Sequence, residues 1–154
     1  MKIPHKDVRI VSALRKNARE SLTTMARTTG IPVSTIFDRM KVHHGRLITK
    51  HTCLLDFNEL GYPTRAKAII KVDRKGRESI RSYLKTHPNV NSLYKINSGF
   101  DFMFELVFRN IKELEDFMEA LDENHNIIEK KVYYIVDDIK REDFLATHLP
   151  ALFD

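Results

Sequence analysis

The sequence predicts an α+β protein of two parts, a three-helix N-terminal third followed by a βαββαβ remainder. Three observations carry this. Apolar residues between Asp7 and Lys41 recur at helical spacing, three or four apart. From Arg65 onward, runs that alternate apolar and polar residues are interleaved with two helical stripes, in the order β-α-β-β-α-β. The charge divides at the same place: residues 1–51 hold eleven Lys and Arg against three acids, a net +8, while residues 52–154 carry a net −3. A total of +5 is the mean of two unlike halves, and the basic half suits a polyanionic partner.

Asp7 opens the first helix, whose apolar face is Val8, Ile10, Val11 and Leu14, and the acid suits the positive end of the helix dipole. Ser21 is a candidate cap for the second helix and Gly30 its left-handed stop. Pro32 falls at the start of the third, where a missing N–H costs nothing. Ala26 and Gly30, four apart, mark a close crossing and a sharp corner, the pattern of a helix-turn-helix. Ile36 and Met40 give the third helix its buried side, and Ser34, Thr35, Asp38 and Arg39 are read as facing outward.

Residues 52–64 read as a linker strand and a turn, with Cys53, beside apolar Leu54 and Leu55, a half-buried strand thiol. A strand follows in which Ala66, Ala68, Ile70 and Val72 form the buried side. Asp73 is the expected cap of a helix with Ile80, Tyr83 and Leu84 on its stripe, ending before Pro88. Val90, Ser92, Tyr94 and Ile96 form one arm of a long hairpin and Phe102, Phe104, Leu106 and Phe108 the other, with 97–100 as the turn. Asn110 and Glu113 have capping-box spacing ahead of Leu114, Phe117, Met118 and Leu121, and a last strand runs from Ile127 to Val136.

These stretches, in this order and spacing, resemble the Lrp/AsnC family of leucine-responsive or feast/famine transcription regulators over about residues 7–137. The matching segments are Asp7 with Ile10, Val11 and Leu14, the corner from Ala26 to Met40, Leu55-Asp56 with Leu60-Gly61, and Ser98-Gly99-Phe100-Asp101-Phe102. The resemblance implies a winged-helix-like DNA-binding domain at 1–51, the linker at 52–64, a ferredoxin-like effector-binding and oligomerisation domain at 65–137, and a C-terminal tail at 138–154. It also implies a homodimer paired through its sheet, with tetramers or octamers built from dimers. A small effector, commonly an amino acid, binds near the hairpin in such proteins, which puts Ser98, Gly99, Phe100 and Asp101 at the effector site. Double-stranded DNA is the expected partner. Ser34, Thr35, Asp38 and Arg39 are assigned to base edges, and Thr23, Arg27, Lys41 and Arg46 to phosphates. Asp38 stands where a basic residue is common and is suited to accept from a cytosine amino group. The tail, with Phe144, Leu145, Leu149 and Leu152 in a partly helical pattern broken by Pro150, is read as docking on a neighbouring subunit.

Two other readings compete. Siroheme decarboxylases resemble the same two-domain family, and such an enzyme would recruit His43, His44, His51 and Tyr94. A ligand-binding protein without DNA binding is the third, and the +8 half argues against it. One cysteine excludes an internal disulfide, and the histidines lack the four-residue spacing that aims two imidazoles at one metal. Neither a Gly-x-Gly-x-x-Gly, a P-loop nor a Gly-x-Ser-x-Gly is present, so no cofactor is expected. With no long apolar run or leader, the expected compartment is the cytoplasm.

Overall fold

The computed structural model describes residues 3–147. The chain separates into two compact units: one runs through Leu54 and takes back the segment from Ile139 onward, the other is Leu55–Asp138.

The first unit is built on α1 (His5–Lys16), α2 (Leu22–Thr29) and α3 (Val33–His43). Its core is Ile10, Met25, Ile31 and Ile36, with Leu14, Leu22, Ala26 and Met40 packed against it. The Ser21 side chain accepts from the Thr24 N–H, which closes one of the free donors at the start of α2. Gly30 ends that helix at φ +67°, a conformation a Cβ would strain, and its N–H returns to the Ala26 carbonyl. The corner read from the sequence is therefore formed by local caps. Winged-helix-like character is confined to one β-bridge, between His44 and Ile48.

Between α1 and α3 lies a charged clamp. Asp7 is fully buried on the same side of α1 as Ile10, and it receives the Arg39 guanidinium through both oxygens, Nε at 2.6 Å from Oδ1 and Nη2 on Oδ2. His43 Nε2 sits 3.0 Å from Oδ2. The hydrogen bond from Arg39, joined by the His43 contact, outweighs burial and holds the Asp7 carboxyl below its ordinary value of 3.8. Asp7 is thus less a dipole partner than an anchor for α3.

One expectation fails after α3. Residues 49–56 join no sheet and Cys53 is exposed, because no strand runs alongside to receive the alternating pattern. The tail, within the described residues, is held by its own chain: Arg15 Nε donates to the Phe144 carbonyl at 3.1 Å, and Nη2 meets Glu142 Oε2 at 3.1 Å. Leu149, Pro150 and Leu152 lie outside the described residues.

The second unit is a four-stranded antiparallel sheet of β1 (Thr64–Val72), β2 (Val90–Lys95), β3 (Phe102–Phe108) and β4 (Ile127–Tyr134), in the order β2-β3-β1-β4. Helices α4 (Arg77–Thr86) and α5 (Ile111–Asn124) cover one face. Ala68 stands opposite Phe104 on one side and Val132 on the other, so all three project to the helix face. There Ala66, Ala68, Ile70 and Val72 pack with Ile80, Leu84, Leu114, Phe117, Met118 and Leu121. This is the ferredoxin-like arrangement. The Asn110 side chain accepts from the Glu113 N–H at 2.9 Å, and the Glu113 carboxylate accepts from the Arg109 N–H at 3.3 Å and from Asn110 Nδ2 at 3.2 Å rather than from the Asn110 backbone N–H. Asp73 does not cap α4. It accepts from the Lys75 N–H in a tight turn, and Gly76 occupies the cap position, because the chain makes one more turn before the helix begins.

The other face of the sheet carries Lys67, Ile69, Lys71, Met103, Tyr94, Lys131 and Tyr133, by the same register. At one end Arg65 joins Glu105 at 2.7 Å, pairs with Asp138, and lies over the Phe57 ring at 5.1 Å. Burial alone would raise the Glu105 carboxyl. Hydrogen bonds from Arg65 and Asn91 hold it below its usual range instead.

The Asp7 clamp yields a stability prediction. Asp7→Ala leaves a half-buried guanidinium without its partner, so denaturant unfolding of the helical unit should show a loss of about 2 to 4 kcal/mol. Because the folded carboxyl is depressed, the clamp contributes fully above the unfolded value near 3.8 and its contribution is lost as pH falls below it. An unchanged acid-unfolding profile in the Asp7→Asn variant would contradict this.

Candidate nucleic-acid interface

The helical wheel of α3 follows from the clamp. Ile36 is buried and Met40 partly so, facing the core, while Thr35, Arg39 and His43 occupy the flank and are half-buried. The remaining arc, Val33, Ser34, Phe37, Asp38, Lys41 and Val42, is exposed. Of the four residues expected to face outward, Ser34 and Asp38 do so. Thr35 sits at the edge. Arg39 is turned to Asp7 instead, and two of its three guanidinium nitrogens, Nε and Nη2, are already on a carboxylate. The physical reason is burial: Asp7 has no water, and the cheapest partner is the cation on the adjacent helix.

The residues assigned to phosphates are exposed as well. Thr23 and Arg27 lie one turn apart on the exposed side of α2. Lys41 lies on the open arc of α3, and Arg46 follows in the turn closed by Gly45 at φ +73°. Among the described residues, Arg27, Lys41 and Arg46 form no ion pair, so their charge is available to an external anion. Sequence reasoning missed Phe37, which is 57% exposed on this arc. It also missed Asp7 and His43 as the pieces that orient it. A signal existed for Asp7: it shares a stripe with Ile10 and Leu14, three and seven residues on.

The histidines do not converge. His43 faces Asp7, and the rings of His44 and His51 stack with centroids 6.0 Å apart. Among the described residues no group of three or more His, Cys, Asp or Glu is placed to hold a metal ion, and no helix is long and apolar enough to cross a membrane.

In the second unit, the hairpin loop has Ser98 at φ +61° and Gly99 at φ +91°, two successive residues in the left-handed region. Ser98 and Gly99 are exposed, and Phe100 is half-buried with Lys131 Nζ 5.0 Å from its ring centre. Asp101 is buried and does not cap its own turn. Its Oδ2 accepts from the Val72 N–H at 2.9 Å and its Oδ1 meets Arg77 Nε at 2.8 Å, which ties the base of the loop to the end of β1 and the start of α4.

The profile of the Lrp/AsnC ligand binding domain matches residues 66–144. The chain is 27% identical over 134 residues to the HTH-type transcriptional regulator FL11 of Pyrococcus furiosus, covering 82% of this chain and 89% of that one. Among solved structures, Bacillus subtilis LrpC has a TM-score of 0.81 at 22% identity, covering 91% of this chain and 99% of that one. A transcriptional regulator of Neisseria meningitidis, solved as its L-Met complex, has a TM-score of 0.84 at 17% identity and covers 97% of each chain. Both structures share the fold. With the family profile spanning half of its length and the same two-unit architecture, the chain belongs to the Lrp/AsnC family of transcriptional regulators.

Proposed function

We propose that the chain binds double-stranded DNA as a dimer, setting the two α3 helices into successive major grooves. The observation that carries this is the open arc of α3, with Arg27, Lys41 and Arg46 exposed and in no ion pair among the described residues, in a half of net charge +8. Ser34 and Asp38 lie nearest the base edges, with Thr35 at the margin. Thr23, Arg27, Lys41 and Arg46 hold phosphates, and Arg39 serves from behind by fixing the helix. The open face of the sheet, with Tyr94, Ile69, Met103 and Tyr133, is the surface through which dimers pair. Its relatives are named regulators, and the divergent placement of His43 and His44 gives a decarboxylase-like reading no support.

The hairpin loop is the proposed effector site, and an amino acid fits the L-Met bound by the Neisseria relative. Ser98 and Gly99, both exposed and left-handed, offer backbone N–H groups and a hydroxyl as donors for the ligand's carboxylate. Asp101 is spent inside the fold, so the ammonium group needs another acceptor. An effector regulates only through the assembly state it binds better.

Four measurements test this reading. With roughly five phosphate contacts per dimer, log affinity should fall with log salt at a slope of about −4 to −5. Lys41→Ala should weaken all sequences alike and flatten that slope by about 1 per site. A slope near zero, or no binding to any duplex at low salt, removes the DNA assignment. In the sheet unit, Asp101→Asn keeps the acceptor for Val72 and loses the charge facing Arg77, so the thermal midpoint should drop by the equivalent of about 1 kcal/mol. If Gly99→Val, which disturbs the left-handed loop backbone directly, leaves both particle size by light scattering and the L-methionine-induced midpoint shift unchanged, the loop is not the effector site.

A further inference from the structure

On α3, Val33 and Phe37 are one turn apart and Lys41 one turn further, with Ser34 and Asp38 beside them. Phe37 is 57% exposed and Val33 42%, while Ile36 and Met40 on the adjacent stripe supply this helix's share of the core. A phenylalanine held in water at the centre of a polar, cation-bordered face is out of place for a surface whose only task is solubility. In the major groove one base alone presents an apolar group, the C5-methyl of thymine, and phenylalanine is among the side chains that contact it. Next to Phe37, Asp38 is exposed and forms no ion pair among the described residues. An ionised carboxylate only accepts, so it tolerates the amino groups of cytosine and adenine and is repelled by guanine O6 and N7 and thymine O4.

We infer that Phe37 is a specificity-determining residue that reads a thymine methyl group, with Asp38 selecting an amino-bearing base at the adjoining pair. This deepens the DNA-binding proposal above and rests on it. The clamp supplies the geometry: with Arg39 and His43 drawn toward Asp7, the helix is rotated so that Phe37, rather than an arginine, leads into the groove.

The test uses the full chain. Sequences bound by the wild type are selected from a random duplex pool, and affinity is then measured by fluorescence anisotropy for a selected duplex and for copies in which single thymines are replaced by deoxyuridine, which removes only the methyl group. In each half-site, one replacement should weaken binding about fourfold, the burial of one methyl at about 0.8 kcal/mol. Phe37→Ala should bind the thymine and uracil duplexes equally, while keeping the thermal midpoint and the salt-dependent affinity for random duplex. Phe37→Leu, still apolar, should keep part of the preference. Equal binding of both duplexes by the wild type overturns the inference, as does a preference that survives in Phe37→Ala. If Phe37→Ala instead dissociates the oligomer while retaining the preference, the ring is a contact between copies and the inference fails. Failure of the wild type to bind any duplex at low salt is a different result, since it removes the DNA-binding proposal itself.

Discussion

A carboxylate taken out of water has to find a cation or hydrogen-bond donors, and in the helical unit that requirement falls on Asp7. Its partners come from one flank of α3, four residues apart, so the requirement acts on the rotation of that helix about its own axis. Apolar packing alone would hold α3 more loosely, because Ile36 and Met40 define only one line of contact. Adding Arg39 and His43 makes a second line. Ser34, Phe37, Asp38 and Lys41 face outward as a consequence of both.

The sheet unit repeats the device twice. Arg65 gathers Glu105, Asp138 and the Phe57 ring at one end of the open face, and Asn91 takes the remaining oxygen of Glu105. Asp101 joins β1, α4 and the hairpin from the opposite end of β1. Each of these groups connects elements distant in the chain, and each is satisfied on more than one side, as buried polar networks must be. Breaking one partner therefore disturbs two joints rather than one.

What could be read from the sequence was what short-range chemistry determines. Ser21, Gly30 and Asn110 act on backbone groups three or four residues away, and they stand where their types and spacing put them. Alternation in β1 and β3 told which residues meet α4 and α5, since a strand has only two faces. Two of the misread positions depend on a distant part of the chain, and a third on a local turn. Arg39 is polar and suits a groove, and only the burial of Asp7, thirty-two residues earlier, turns it inward. Cys53 sits in an alternating run that would be a strand had another strand lain beside it. Asp73 has the right type to cap a helix, but the turn it makes with Lys75 postpones that helix. At the candidate interface, the outward cations were visible as charge, whereas Phe37 resembled any apolar residue of an amphipathic helix.

The bond between Arg15 and the segment around Glu142 and Phe144 makes the helical unit discontinuous in the chain. An exposed pair of this kind adds little to equilibrium stability. Its effect is on the order of events during synthesis. Helix α1 emerges from the ribosome early, yet the residues that close over Arg15 are made only after the entire sheet unit has been translated. The groove-reading half thus reaches its finished surface in molecules whose sheet half already exists, and a nascent fragment that stops short of Ile139 presents α1 with that flank still open.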